Sequence, residues 1–182
     1  MCGIVAYIGN KDPIPILISG LHRLEYRGYD SAGILVCNNS DYQLTKIAGK
    51  VNTLSKMLET KPNIAPHLGI GHSRWATHGM PNDTNAHPHY SNSGKLYMVH
   101  NGIIENYDSL KMELIKRGYS FYSDTDSEVL VNLIEEIKVK ENVKLHKAVQ
   151  LALNQVVGAY GIVVCDTSSP KELIVARLGS PI

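Results

Sequence analysis

Short apolar runs of strand length, closed by glycine, asparagine or proline, recur along the chain, and stretches with helical spacing lie between them. The first run covers 2–8 and ends at Gly9-Asn10. The runs at 34–37 and 43–48 flank a turn and predict a hairpin. This order predicts an α+β fold in which helices cover one or both faces of mainly antiparallel sheets.

The remaining elements follow from the same two periodicities. Further strands are predicted at 68–73, 96–100, 160–165 and 172–177, with a turn at Asn101-Gly102 and a new strand starting at 103–104. Helices are predicted after Asp12 and at 51–59, 108–117, 127–138 and 143–155. Ile16, Leu17, Leu21 and Leu24 give the first helix an apolar stripe, and Asp12 with Pro13 suits its start. With 182 residues and no internal repeat or linker, we expect one domain.

Composition excludes several function classes. The net charge is +1 and the basic residues are scattered, so we expect neither nucleic acid nor an anionic membrane surface as a partner. No segment approaches the ~20 apolar residues that span a bilayer, and no basic region followed by an apolar one opens the chain. Cys2, Cys37 and Cys165 lack disulfide or metal-site spacing, which fits a reducing compartment. We therefore expect a cytoplasmic protein.

Cys2 follows the initiator methionine directly. If Met1 is removed, Cys2 carries a thiol nucleophile and a free α-amine, whose ordinary pKa near ~8 lets it accept a proton. The alternative is that Cys2 is a small apolar residue of a buried strand, which its position alone favours.

The segment from Arg74 to Tyr90 is polar, without periodicity, and longer than most connections, which is typical of a functional loop. Four histidines occur in or beside it: His72, His78, His87 and His89. Their spacing matches no known zinc site, so we expect no metal and favour histidines that bond backbone or substrate. Gly69-Ile70-Gly71-His72-Ser73-Arg74 has arginine where a dinucleotide fingerprint needs its third glycine.

The remaining polar groups suit an amide substrate. Asn101-Gly102 can supply a side-chain and a backbone N–H to an oxyanion, although Asn-Gly is also the commonest hairpin turn. Arg74, Thr77 and His78 offer a bidentate guanidinium with neutral donors for a carboxylate. Asp124 and Asp126 could hold an α-ammonium, or could cap the helix that follows them.

A set of motifs then resembles one family closely. The motifs are Cys2-Gly3-Ile4-Val5, Tyr26-Arg27-Gly28-Tyr29-Asp30-Ser31-Ala32-Gly33, Arg74-Trp75-Ala76-Thr77-His78-Gly79, Asn85-Ala86-His87-Pro88-His89, His100-Asn101-Gly102-Ile103-Ile104-Glu105-Asn106 and Thr125-Asp126. Together they resemble the glutaminase domain of the glucosamine-6-phosphate synthase family, a class II glutamine amidotransferase with an N-terminal nucleophile. The resemblance implies an αββα sandwich of two antiparallel sheets.

The resemblance also implies residue roles. Cys2 is the nucleophile and, through its α-amine, the base. Asn101 and Gly102 form the oxyanion hole. Arg74, Thr77 and His78 hold the glutamine α-carboxylate, while Asp126 and the Gly102 carbonyl take its α-ammonium. Trp75 helps to gate ammonia passage and Arg27 lies in the segment that closes over the site, whereas no role is implied for His87 or His89.

In that family, glutamine becomes glutamate through a γ-glutamyl thioester, and the ammonia converts fructose 6-phosphate to glucosamine 6-phosphate in an enzyme expected to be a homodimer. No cofactor is implied. The family's glutaminase domain runs on past Gly179-Ser180-Pro181 and a sugar-isomerase half follows it. We therefore expect 2–182 to be a glutaminase domain incomplete at its C-terminal end. Two alternatives remain: an N-terminal-nucleophile hydrolase of another amide, and a non-catalytic glutamine-sensing module.

Overall fold

Strands and helices alternate in groups along the computed structural model, which describes residues 2–76 and 79–181. The strands are β1 (Gly3–Ile8), β2 (Ser31–Cys37), β3 (Tyr42–Ile47), β4 (Leu68–Arg74), β5 (His89–Tyr90), β6 (Leu96–Ile104), β7 (Gly158–Asp166) and β8 (Ile174–Leu178). The α-helices are α1 (Pro13–Leu24), α2 (Val51–Glu59), α3 (Tyr107–Lys116), α4 (Asp126–Lys140) and α5 (Leu145–Leu153), and one 3₁₀ turn covers Glu25–Arg27. Within the described ranges, no helix is long and apolar enough to cross a membrane.

The strands form two four-stranded sheets, in the orders β1-β4-β2-β3 and β5-β6-β7-β8. Each pairing between neighbouring strands is antiparallel. One apolar cluster joins α1 and α2 to the first sheet, a second joins α3, α4 and α5 to the second sheet, and a third fills the space between the sheets. The layers are therefore helix, sheet, sheet, helix, which confirms the α+β prediction and the αββα sandwich.

Helix α1 lies close to the first sheet because β4 carries glycines beneath it. A Cβ at Gly69 would lie 2.7 Å from Leu17 Cδ1, and one at Gly71 would lie 3.4 Å from Leu21 Cδ1. Leu17 and Leu21 are fully buried, whereas Ile16 and Leu24 are half-buried. Asp12 Oδ1 accepts the Ile14 N–H at 2.9 Å, so the predicted cap forms. Gly69 and Gly71 therefore allow α1 to approach the sheet closely.

Alternation along the strands decides which side chains face the space between the sheets. Ile4 of β1, Ile70 of β4 and Val99 of β6 belong to the cluster that fills that space. Positions two residues along from these share their faces, and they include Cys2, His72 and Asn101. Chemically distinct side chains from three segments therefore face the inside of the sandwich.

The predicted turn at Asn101-Gly102 is wrong. Strand β6 is continuous from Leu96 to Ile104, and it pairs with β7 throughout, Asn101 opposite Gly161 and Gly102 opposite Tyr160. Gly102 has φ +123°, a conformation open to glycine, so the strand passes through this residue without reversing. Strand β7, about 60 residues further along the chain, supplies the pairing that a local pattern does not contain.

Other boundaries differ by a few residues. Strand β2 begins at Ser31 rather than 34, because Ser31, Ala32 and Gly33 pair with β4. Helix α5 ends at Leu153 and starts at Leu145, shorter than the predicted 143–155, because Asn154 and Gln155 already belong to a turn. Helix α2 matches its predicted bounds, 51–59.

Candidate active site

A cavity of about 440 Å³ opens at one end of the sandwich. Seven predicted site residues line it: Cys2, Arg27, Arg74, Trp75, Asn101, Gly102 and Asp126. Seven residues without a role predicted from the sequence also line it: His87, His100, Ile103, Thr125, Ser127, Ser180 and Pro181. Thr77 and His78 lie outside the described residues. The cavity thus gathers groups from the N-terminus, β4, β6, the start of α4 and the C-terminal segment.

Cys2 is half-buried at the edge of this cavity, just before β1. Its Sγ accepts the Trp75 N–H at 3.3 Å and lies 3.6 Å from the Trp75 carbonyl oxygen. Arg27 Nη1 donates to the Cys2 carbonyl at 3.3 Å. Burial raises the pKa of the Cys2 thiol, and the hydrogen bond from Trp75 opposes that rise. A thiol with a raised pKa needs a proton acceptor in order to act as a nucleophile at neutral pH.

Arg74 ends β4 and places a cation inside the cavity, where it is 4% exposed. Burial lowers the pKa of its guanidinium, and the nearby Asp30 carboxylate opposes that change. Asp30 is held by backbone on both sides of Trp75: its N–H donates to the Arg74 carbonyl at 2.8 Å, and its Oδ2 accepts the Ala76 N–H at 2.7 Å. These two hydrogen bonds fix the path of the chain as it leaves β4. That path positions both the Arg74 guanidinium and Trp75, whose N–H donates to the Cys2 sulfur.

Asp126 is the first residue of α4 and is 4% exposed. The N-cap is Thr125, whose Oγ1 accepts the Glu128 N–H at 3.3 Å, so the capping role proposed as the alternative for Asp126 belongs to Thr125. Asp126 Oδ2 instead accepts the Ile104 N–H at 2.8 Å, which ties α4 to β6. Asp124 does not line the cavity, and its Oδ2 accepts from Asn85 Nδ2 at 3.2 Å. Of these two carboxylates, Asp126 is therefore the one that lines the cavity.

Asn101 faces the cavity from the middle of the second sheet and is 7% exposed. Its Oδ1 lies 2.9 Å from His72 Nε2, and its Nδ2 lies 3.4 Å from the Pro181 carbonyl. The side-chain amide therefore turns its oxygen towards β4 and its N–H groups towards the C-terminal segment. Gly102 follows it in the left-handed region, and a Cβ there would lie 2.0 Å from the Ala159 carbonyl oxygen.

Four histidines are buried at the cavity: His87 and His100 line it, whereas His72 and His89 do not. Burial lowers the pKa of His72 to about 3 and those of His87 and His89 well below their ordinary value, so these three rings are neutral. Their ring nitrogens hydrogen-bond one another, serine, threonine and backbone. Across 2–76 and 79–181, no group of three or more His, Cys, Asp or Glu is arranged to hold a metal ion.

Comparison with known proteins agrees with this geometry. The sequence pattern of the glutamine amidotransferase domain family matches residues 72–179, and the chain belongs to that family. It is 56% identical to the glutamine–fructose-6-phosphate aminotransferase (isomerizing) of Bacteroides thetaiotaomicron and 49% identical to that of Pyrococcus horikoshii. Each alignment covers 100% of this chain and 30% of the relative, so the chain spans about a third of the length of the relatives it matches.

A solved structure shows the same fold. The glutamine phosphoribosylpyrophosphate amidotransferase of B. subtilis, complexed with ADP and GMP, superposes with a TM-score of 0.80 at 27% identity. The superposition covers 97% of this chain and 37% of that one. The resemblance inferred from the sequence motifs is therefore confirmed, as is the sandwich of two antiparallel sheets.

Proposed function

We propose that this chain hydrolyses the side-chain amide of L-glutamine, with Cys2 as the nucleophile, to give glutamate and ammonia. The observation that carries the proposal is the meeting, in one cavity, of the Cys2 thiol, the Asn101 amide, the Arg74 guanidinium and the Asp126 carboxylate. A free amino acid has a carboxylate and an ammonium at one end, and the cavity offers a partner for each. The amide at the other end then meets the thiol.

The reaction begins when Cys2 Sγ attacks the amide carbon, forming a C–S bond and pushing the carbonyl π electrons onto oxygen. Asn101 Nδ2 and the Gly102 N–H donate to that oxyanion, and their bonds strengthen as its charge develops. The tetrahedral intermediate collapses to a γ-glutamyl thioester when the C–N bond breaks, and the thiol's proton leaves with the ammonia. Water then attacks the thioester, releases glutamate and returns the proton to sulfur.

The proton acceptor in this scheme is the α-amine of Cys2, which becomes free when Met1 is removed. An amine on the nucleophile's own Cα needs no second side chain to be brought to the sulfur. The buried neutral rings of His72, His87 and His89 do not compete for this role, since their lowered pKa values make them weak bases. Arg74, Thr77 and His78 bind the α-carboxylate in the proposal, while Asp126 and the Gly102 carbonyl bind the α-ammonium. Trp75, which is 54% exposed, and Arg27 close the site in the proposal.

The larger activity is also a proposal. The relatives named above are glutamine–fructose-6-phosphate aminotransferases, and this chain aligns with 30% of each. We infer that 2–182 belongs to the glutaminase part of such an enzyme, and that a sugar-isomerase part uses the ammonia to convert fructose 6-phosphate to glucosamine 6-phosphate. The intact enzyme would be a cytoplasmic homodimer.

The test begins with glutamate release from L-glutamine by the purified protein and its Cys2→Ser and Cys2→Ala variants. We expect release from the unmodified protein alone, and mass spectrometry of a quenched reaction should show a γ-glutamyl adduct on the peptide that begins at Cys2. The amine's role is tested by comparing protein that retains Met1 with trimmed protein. Retention acylates the amine and removes a general-base contribution of about 10²–10⁴ in rate. Equal rates for the two forms would exclude the amine as the base.

The same assay separates the two alternative functions. A hydrolase of another amide would release product from that amide while leaving glutamine intact. A glutamine-sensing module would bind glutamine without turnover, and its affinity would be the same in the Cys2→Ala variant.

A further inference from the structure

Three of the four buried histidines, His72, His87 and His100, form one chain of polar contacts that begins at Asn101. His72 Nε2 lies 2.9 Å from Asn101 Oδ1 and 3.0 Å from the His100 carbonyl oxygen. His87 Nδ1 lies 3.1 Å from His72 Nδ1, and its Nε2 lies 3.0 Å from Ser127 Oγ. Ser127 Oγ in turn lies 2.9 Å from His100 Nδ1. The members come from β4, the loop before β5, α4 and β6.

The direction of each hydrogen bond follows from the groups at the Asn101 end. A backbone carbonyl only accepts, so His72 Nε2 carries the proton that faces the His100 oxygen. The His87 ring meets the His72 ring edge to face, with its Nδ1 over that ring, 3.1 Å from His72 Nδ1 and 3.3 Å from His72 Nε2. The face of an aromatic ring attracts an N–H and repels a lone pair, so the proton of His87 is on Nδ1.

The donors of the remaining hydrogen bonds, between His87, Ser127 and His100, are assigned in the same way. A neutral His87 with its proton on Nδ1 accepts at Nε2, so the Ser127 hydroxyl donates to it. Ser127 Oγ has one proton, and its weaker contact, 3.4 Å to Asp126 Oδ1, is therefore not a donor bond. The 2.9 Å contact with His100 Nδ1 must then be donated by His100. Burial supports this assignment, since it holds both His72 and His87 in the neutral form.

We propose that His72, oriented by His87 and Ser127, is a positioning residue that fixes the Asn101 amide with its oxygen on His72 and its N–H groups towards the cavity. The amide of a free asparagine can turn over, because its two ends have nearly the same shape. The turned amide would place an acceptor against the developing oxyanion, and it would also set N–H against the His72 N–H. The inference rests on the proposed oxyanion role of Asn101.

The test compares two substitutions of one ring. His72→Leu removes the Nε2–H donor and puts an apolar side chain in place of the ring. His72→Gln instead supplies an amide N–H near the position of Nε2. We expect His72→Leu to lower kcat about 10–100-fold, less than full removal of an oxyanion donor, with KM and the Kd of an unreactive glutamine analogue unchanged. His72→Gln should recover most of that loss. His67→Leu is the matched control, because His67 bonds the Pro170 carbonyl at 3.0 Å and does not line the cavity.

A double substitution separates positioning from a general structural role. If His72 acts only through Asn101, then adding His72→Leu to Asn101→Ala lowers kcat no further. If the two substitutions lower kcat by factors that multiply in the double variant, the inference is overturned. It is also overturned if Asn101→Ala lowers kcat and His72→Leu leaves it unchanged. An unimpaired Asn101→Ala variant would instead reject the proposed oxyanion role, and the positioning role with it.

The native protein provides a check that does not depend on the folding of any variant. Its ¹⁵N–¹H correlation spectra should show His72 as the neutral Nε2–H tautomer and His87 as the neutral Nδ1–H tautomer. The opposite tautomer at either ring would overturn the inference.

Discussion

Gly102 joins the fold to the site, and Gly102→Ala should damage both. A Cβ at this position would lie 2.0 Å from the Ala159 carbonyl oxygen, 2.8 Å from its carbon and 3.0 Å from Tyr160 Cα. All three are backbone atoms of β7, so the contact is relieved only if β6 and β7 separate. Reaching an ordinary contact of 3.4 Å requires a shift of about 1.4 Å, the difference between 3.4 and 2.0 Å.

The expected loss in the free energy of unfolding has two parts. The φ of +123° is strained for any residue with a Cβ, which costs about 1–3 kcal/mol. Separating the strands weakens roughly two ladder hydrogen bonds at about 1 kcal/mol each, so the free energy of unfolding should fall by about 3–5 kcal/mol in all. That is a large fraction of the roughly 5–15 kcal/mol typical of a domain.

Substitutions at two other glycines separate the backbone strain from the steric contact. Gly118 has φ +93° with nothing within 4 Å of a built Cβ, so Gly118→Ala should show the backbone strain alone. Gly158 has φ +128° and its Cβ would meet the Ile103 carbonyl at 2.2 Å, but it does not line the cavity. Gly158→Ala should therefore lose as much stability as Gly102→Ala while keeping more activity per folded molecule. Urea unfolding followed by circular dichroism measures stability, and equal midpoints for the variants at 102 and 118 would refute the steric reasoning.

Three further outcomes are expected. Asn101→Ala should lower kcat for glutamine by about 10²–10³ with binding of an unreactive analogue nearly intact, and equal losses in both would show that the strand had been disturbed instead. Arg74→Lys keeps the charge without the planar fork, so kcat/KM should fall roughly ten- to a hundred-and-fifty-fold, about 1.5–3 kcal/mol, and unchanged kinetics would remove Arg74 from the site. Because His72, His87 and His89 stay neutral when folded but gain protons when unfolded below about pH 6.5, each should subtract up to ~1.4 kcal/mol from the free energy of unfolding per pH unit below that value. Urea titrations from pH 7 to pH 5 measure this, and a flat profile would contradict neutral burial.

Local patterns predicted much of the fold because several elements carry their own signals. The stripe of Leu17 and Leu21, with Asp12 as cap, is enough to place α1. The structure adds that this helix packs over the glycines of β4. Strand β2 was predicted too short, because Gly33 has no β-propensity of its own. Gly33 belongs to the sheet because it pairs with Lys46 and His72. The His87 carbonyl also lies within 2.2 Å of where a Cβ of Gly33 would be.

Side-chain chemistry alone suggests some of the proposed roles, but it leaves alternatives beside them. A guanidinium at the start of a polar loop suggests a carboxylate partner, whereas a thiol next to Met1 can also be a core residue and a carboxylate at a helix start can also be a cap. The motif resemblance chooses between these interpretations. The backbone partner of the Cys2 sulfur, the Trp75 N–H, has no such signal, since every residue but proline carries one. Pro181 and Ser180 line the cavity through the path of the chain, which their residue types do not indicate. The positioning role proposed for His72 can be inferred only when its distance to Asn101 is known.

The register of the sheets explains how distant segments meet with so little local signal. Gly3 pairs with Ser73, so Cys2 and Arg74 extend from neighbouring strands at the same end of the first sheet. Asn101 lies in the facing sheet, and Asp126 is tied to β6 by its bond to the Ile104 N–H. Since side chains alternate with a period of two, a one-residue slip of β1 against β4 would turn the Cys2 sulfur away from the space between the sheets. The same pairings that hold the two sheets in place therefore hold Cys2, the proposed nucleophile, in one cavity with its proposed oxyanion donor, and any loss of register should cost activity before it costs secondary structure.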